Sequence, residues 1–384
     1  MILRSLRLQS FRAHEETRVT FAPKVNLVHG PNGAGKTNLL EAVHYLCLSK
    51  SFLAARDKYA LRKGAPHFEL EGTFEGEQRS ELEVRLAYVP GEGKRMFVNG
   101  APLERLSEIV GRVPVVVFSQ QDQALTAEGP SERRRFTNKL LSQAHPTYME
   151  DLLKYRKALR QRNALLKQHR GRPPAPHRDE VLASWDEEIT VLGSRIIARR
   201  IEFLRSFSSY LEDAYRHVES VAERPTVEYD TLDEVPRDAT PDDAEDAFRQ
   251  ALRRTSEDER ERGRTLIGPQ RDELIFRLDD LEVRRYASQG QHRTFGMALK
   301  LAKWFFLRDR LEETPLFLLD DIFDNFDRER SEAFLGLLQS DALGQSLITA
   351  AQPGLFEAFV PFDGDAHRKQ RLGAGAVLGK AQAV

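Results

Sequence analysis

The chain has 384 residues, 40% hydrophobic and 30% charged, with a formal net charge of −1, a balance expected of a globular protein of two packed units. No apolar run is long enough to cross a bilayer and the first twelve residues lack the continuous apolar stretch of a signal peptide, so a cytoplasmic protein is expected. The single cysteine, Cys47, excludes intramolecular disulfides and Cys-rich metal sites.

Alternation of Ile2, Leu3, Leu6 and Leu8, then Val19, Phe21, Val25 and Leu27, predicts strands that end at Gly30. A helix follows from Lys36 to about Lys50, where Leu39, Leu40, Val43, Leu46 and Cys47 recur at helical spacing. Residues 67–74, 82–88 and 96–98 alternate between turn signals and read as antiparallel strands. From about Pro130 the period changes. Tyr148, Leu152, Tyr155, Leu159 and Leu166 form a 4-3 seam interrupted by Arg162, and beyond a Pro-rich turn at 173–176 a second seam runs Trp185, Ile189, Leu192, Ile196, Phe203 and Tyr210. Two long antiparallel helices follow from this pattern.

Strand patterning resumes at 273–278 and 316–319, so the helices read as an insertion: an N-terminal lobe over 1–129, a helical arm over 130–262, a C-terminal lobe over 263–363, and a disordered Gly/Ala-rich tail over 364–384. Charge is unevenly spread. Residues 151–180 carry nine Lys or Arg against three acids, and residues 228–261 carry thirteen acids against five bases. Either run is also compatible with a solvated helix face.

Gly30-Pro31-Asn32-Gly33-Ala34-Gly35-Lys36-Thr37 fits G-x-x-x-x-G-K-[ST] between a predicted strand and a predicted helix. In such a loop backbone N–H groups converge on phosphate oxygens, Lys36 reaches the β and γ phosphates, and Thr37 offers an oxygen to Mg²⁺. Pro315 to Asp321 is an apolar strand ending in two carboxylates, where an α/β sheet binds its ligands. Asp320 is the expected Mg²⁺ holder and Asp321 the group that orients or deprotonates the attacking water, the alternative being an Asp-Asp helix cap. About thirty residues before Asp320, Ser288-Gln289-Gly290-Gln291 opens a helical pattern. Alone it reads equally as an ordinary Ser cap.

This order of motifs resembles the ABC-type ATPase heads of the SMC superfamily and, within it, the bacterial recombination mediators. The likeness also rests on Leu8-Gln9-Ser10-Phe11-Arg12, Gly129-Pro130-Ser131-Glu132-Arg133-Arg134-Arg135-Phe136, Tyr155-Arg156-Lys157-Ala158-Leu159, Gln161-Arg162-Asn163-Ala164-Leu165-Leu166 and Gly268-Pro269-Gln270-Arg271-Asp272. It implies an α/β ABC-type P-loop head, a mixed sheet with helices, carrying an inserted α-helical hairpin domain. It further implies ATP and Mg²⁺ as cofactors, DNA-stimulated hydrolysis, and an ATP-dependent homodimer on double-stranded and gapped DNA at the nucleoid. RecR, acting with RecO to load RecA, is the implied partner.

The resemblance also assigns residues. Gln120 or Gln121 would be the sensor near Mg²⁺, Asp327 would cross between protomers, and Ser288 to Gln291 would face nucleotide. Arg12 would touch nucleotide, an ion pair being its alternative. Leu347 to Gln352 holds no switch histidine, so sensing of the γ phosphate would fall to Thr349 or Gln352 or be weak, and slow hydrolysis would fit. The basic clusters offer Arg133, Arg134, Arg135, Lys154, Arg156, Lys157, Arg160 and Arg162 to DNA phosphates. A small-molecule P-loop kinase would have no use for Ser288 to Gln291, whereas an SMC-like or transporter-associated head not acting on DNA would share every motif.

Overall fold

The computed structural model describes residues 1–54, 56–77, 81–170, 176–218, 223–323, 328–373 and 375–378. In chain order, β1 (Ile2–Phe11) and β2 (His14–Thr20) form a hairpin, and β3 (Val25–His29) leads into α1 (Lys36–Leu48). Next come β4 (Phe68–Glu75), β5 (Leu82–Val89), β6 (Gly93–Val98), β7 (Ala101–Pro102) and β8 (Val115–Ser119). The helical stretch holds α2 (Gln123–Ala127), α3 (Pro130–Ala144), α4 (Pro146–His169) and α5 (Pro176–Val218), followed by β9 (Pro225–Asp230) and α6 (Pro241–Arg262). Then follow β10 (Glu273–Leu278), β11 (Leu281–Glu282), α7 (Val283–Tyr286) and α8 (Gln289–Leu311). The chain closes with β12 (Leu316–Asp320), α9 (Arg328–Gln339), β13 (Ser346–Ala350), α10 (Gly354–Phe359), β14 (Arg368–Gly373) and β15 (Ala376–Leu378).

Two compact units result, one of residues 1–122, 213–222 and 296–384, the other of 123–212 and 223–295. The first holds two six-stranded sheets, an antiparallel one in the order β2-β1-β4-β5-β6-β7 and a mixed one in the order β15-β14-β3-β13-β12-β8. Strands β8, β12, β13, β3 and β14 run parallel, so their carboxyl ends open on the same edge. Helix α1 is apolar on nearly every side because its Leu39, Leu40, Val43 and Leu46 join one core with Leu6 and Phe68 of the antiparallel sheet and Leu318 and Leu347 of the mixed sheet. That burial fixes the start of α1, and with it the phosphate loop, against both sheets.

The α/β class and the two long antiparallel helices match the sequence reading, but the boundaries differ. Of the tail expected over 364–384, residues 374 and 379–384 lie outside the described residues, and the described part holds the strand pair Arg368–Gly373 and Ala376–Leu378: β14 lies parallel to β3, with Lys369 opposite Leu27, and its backbone groups find partners there rather than in water. Residues 273–278, read as the return to the head, instead pair with β9 in a three-stranded sheet of the second unit.

In that second unit the residue that breaks the first heptad-like seam, Arg162, is buried, and so is Arg200 on the second long helix. Arg162, 2% exposed, sets Nη2 2.7 Å from Oε2 of the fully buried Glu259 and donates through Nη1 to Thr265 Oγ1 at 2.7 Å. Arg200, 1% exposed, meets Asp272 Oδ2 at 2.8 Å and donates to Pro269 O. Arg162 is therefore removed from the DNA-facing set, since its guanidinium is spent on an interior acid. Arg133 is removed too: it is 3% exposed, ion-paired with Glu273 and donating to Glu128 O. Truncating one partner of a buried pair strands the other charge. Arg162→Ala is expected to lower stability by about 3–5 kcal/mol, read from the urea denaturation midpoint; a loss below about 1 kcal/mol is what a solvated pair would give.

Candidate nucleotide site

β3 ends at His29 and the chain turns through Gly30 to Gly35 before α1 begins at Lys36. Gly33 and Gly35 take φ of 82° and 97°, which residues with a Cβ rarely adopt and which are the conformations a phosphate-cradling loop needs. Lys36, 5% exposed, folds its ammonium onto the loop it belongs to, with Nζ donating to Gly30 O at 3.0 Å and Pro31 O at 3.4 Å. The cation thus stands at the mouth of a turn whose geometry suits an anion.

At the end of β12, separated from β3 by β13, the two carboxylates have different surroundings. Asp320 Oδ1 accepts from Thr37 Oγ1 at 2.8 Å and from Thr349 Oγ1 at 2.9 Å, and Thr349 Oγ1 in turn accepts from the Asp321 N–H at 2.9 Å. One relay therefore ties the loop threonine, the strand acid and the following residue together. Burial raises the Asp320 pKa, Thr37 and Thr349 lower it, and nearby Asp321 raises it again. Asp321 sits at φ 48°, and its Oδ1 is buried with no hydrogen-bond partner among the described residues. An orphaned carboxylate oxygen beside a hydroxyl–carboxylate pair is a hard-oxygen set short of positive charge, which fits a divalent cation such as Mg²⁺ together with water.

Gln120, directly after β8, donates from Nε2 to Asp321 O at 3.3 Å, which brings it to the acid pair; the Gln121 side chain lies outside the described residues. Sequence reasoning missed what anchors this corner: Asp122 accepts from Ser119 N at 2.7 Å and pairs with Lys300 Nζ at 2.6 Å, while Lys300 also donates to Val117 O. Thr349 was a sensor candidate, yet it is fully buried and engaged with both acids, whereas Gln352 is exposed. Arg12 forks onto Glu41 of α1, with Nε and Nη2 at 2.8 and 2.7 Å from its two oxygens, and Nη1 donates to Tyr59 O at 2.6 Å. Glu41 is fully buried, so the ion-pair alternative is realised as an interior bidentate clamp rather than a surface contact.

Ser288 to Gln291 belong to the second unit. Gln291 N donates to Ser288 Oγ at 3.2 Å and Ser288 N to Gln291 Oε1 at 2.8 Å, a reciprocal cap at the start of α8. Ser288 and Gln289 are exposed. Asp327 lies outside the described residues.

The family model for the RecF/RecN/SMC N-terminal domain matches residues 2–370. The DNA replication and repair protein RecF of Salinibacter ruber is 60% identical over 98% of this chain and 91% of its own. The RecF of Chloroherpeton thalassium is 43% identical over 92% and 95%. The chain belongs to the RecF family. A solved structure described as the recombination mediator protein RecF-ATP in the RecFOR pathway matches with a TM-score of 0.87 at 26% identity, covering 99% of this chain and 98% of that one. An Smc head bound to the winged-helix domain of ScpA matches with a TM-score of 0.56 at 14% identity and shares the fold alone. As a RecF-family chain, this protein is an SMC-like ATPase head with ATP as its nucleotide. Among the described residues, no helix is long and apolar enough to cross a membrane.

Proposed function

We propose that the chain is an ATP-switched DNA-binding protein of recombinational repair that pairs with a second copy of itself on double-stranded or gapped DNA and works with RecR and RecO in loading RecA. The observation that carries this reading is the relay joining Thr37, Asp320, Thr349 and Asp321 at the carboxyl ends of parallel strands, in a chain of the RecF family. Lys36 holds phosphate oxygens, Asp321 positions or deprotonates water, and Gln120 links the β8 strand end to Asp321. Mg²⁺, held by Thr37 and Asp320, would offset phosphate charge. Ser288 and Gln289, both exposed, meet the nucleotide of a second copy in this reading, so that ATP closes the dimer and hydrolysis opens it.

Lys154, Arg156, Lys157 and Arg160 stay exposed on α4, as does Arg135 on α3, while Arg134 is half-buried and donates to Asp272 O at 2.7 Å. These five exposed cations are the proposed phosphate contacts. Sedimentation with and without ATP and a gapped duplex tests the reading: ATP should shift the chain to a dimer that travels with DNA. Affinity should fall with salt, and an Arg156, Lys157, Arg160 triple Ala variant should flatten the log–log slope by roughly 0.9 per lost contact. A monomer that ignores both ATP and DNA would favour a head that does not act on DNA.

A further inference from the structure

Between β1 and β2 the chain makes a tight corner whose His14 is fully buried, yet nothing in the hydrolytic reading uses it. Its ring nitrogens face two segments far apart in sequence. Nε2 lies 3.1 Å from the carbonyl of Gly35, the last residue before α1, and Nδ1 lies 3.0 Å from the carbonyl of Gly375, in the turn joining β14 to β15. Thr17 Oγ1, also buried, stands 2.9 Å from Nδ1 and donates to Gly375 O at 2.5 Å. The turn is tied to the loop a second time, since Gly375 N donates to Ala34 O at 3.1 Å.

We infer that His14 is a positioning residue for the phosphate loop, the joint through which the hairpin β14–β15 braces Ala34 and Gly35 and thereby sets nucleotide affinity. The Gly35 carbonyl already accepts from Leu39 N, the first bond of α1. A second donor from the His14 ring fixes the plane of the peptide that leads into Lys36, and so the direction in which the Lys36 N–H points. Space is tight on both sides: a Cβ on Gly35 would lie 2.8 Å from His14 Nε2, and one on Gly375 would lie 2.4 Å from Ala13 O. Burial lowers the His14 pKa, which favours a neutral ring donating from one nitrogen only. Donation from Nε2 serves Gly35 and leaves Nδ1 without a proton, so the tie to Gly375 runs through the Thr17 hydroxyl and through Gly375 N to Ala34 O rather than through the ring.

The inference rests on reading residues 30–37 as the ATP site, which Lys36→Ala tests separately; the brace is judged by comparing His14 and Gly375 variants with the parent full-length chain. Calorimetric Kd for Mg–ATP, steady-state KM and kcat, and the melting temperature are measured together. His14→Leu, which keeps bulk and removes the donor, should raise Kd and KM about tenfold, as expected for one lost hydrogen bond, with kcat within about twofold. His14→Gln, which keeps a donor, should recover at least half of that loss on a logarithmic scale. Gly375→Ala, which must push the turn off Ala13, should resemble His14→Leu. Parental Kd and KM in His14→Leu would overturn the inference, and so would equal losses in the Leu and Gln variants, which would make His14 a packing residue. If His14→Leu does not fold, Gly375→Ala decides: a raised Kd supports the brace and an unchanged one removes it.

Discussion

Asp321→Asn is expected to slow ATP turnover by about 100-fold or more while leaving ATP affinity within about twofold, because general-base assistance is typically worth 10²–10⁴. The carboxylate it removes is the one whose Oδ1 has no partner among the described residues, so the change costs little in the resting fold. Lys36→Ala should do the opposite, weakening ATP binding by about 100-fold, ~2.7 kcal/mol, because a charge-assisted contact to phosphate is lost. Equilibrium binding and single-turnover hydrolysis separate the two. Parental turnover in Asp321→Asn would mean that the second acid of the strand end is not the catalytic one.

The other large effect is complementation. Each chain carries one phosphate loop and one Ser288 to Gln291 segment, and the proposed dimer brings one from each copy to every site. Lys36→Ala and Ser288→Arg should each be inactive alone, and mixing them should restore activity. With random exchange into two-fold dimers, half are mixed and one of their two sites is intact, so roughly a quarter of all sites work. Activity no greater than the sum of the separate variants, with exchange verified independently, would place hydrolysis within a single chain.

The phosphate loop, the acid pair and the two long helices were legible because each is a local pattern: a glycine spacing, an apolar run ending in acids, a 4-3 period. What escaped was non-local. The sequence Arg368 to Gly373 has no apolar alternation, and its partner β3 lies more than 300 residues away, so composition alone suggested a tail. Arg12 and Glu41 are separated by 29 positions, and nothing in either neighbourhood announces the clamp. Arg133 and Arg162 looked like solvent-facing cations because a charge count sees neither Glu273 nor Glu259. For Arg162 there was a usable signal: it falls on the seam itself, where a long side chain is interior by geometry.

The two buried arginines of the second unit, Arg162 and Arg200, have a mechanical consequence. A helical hairpin packed through a plain apolar stripe can creep axially, trading one set of leucines for the next. Arg162 reaches from α4 to Asp186 on α5 and to Glu259 on α6, and Arg200 reaches from α5 to Asp272 just before β10. Sliding α4 by one helical turn, about 5.4 Å, would pull Arg162 from both acids and leave Glu259 charged in the interior. Creep is therefore blocked, and a push on one end of the hairpin is passed along its length rather than absorbed by slippage.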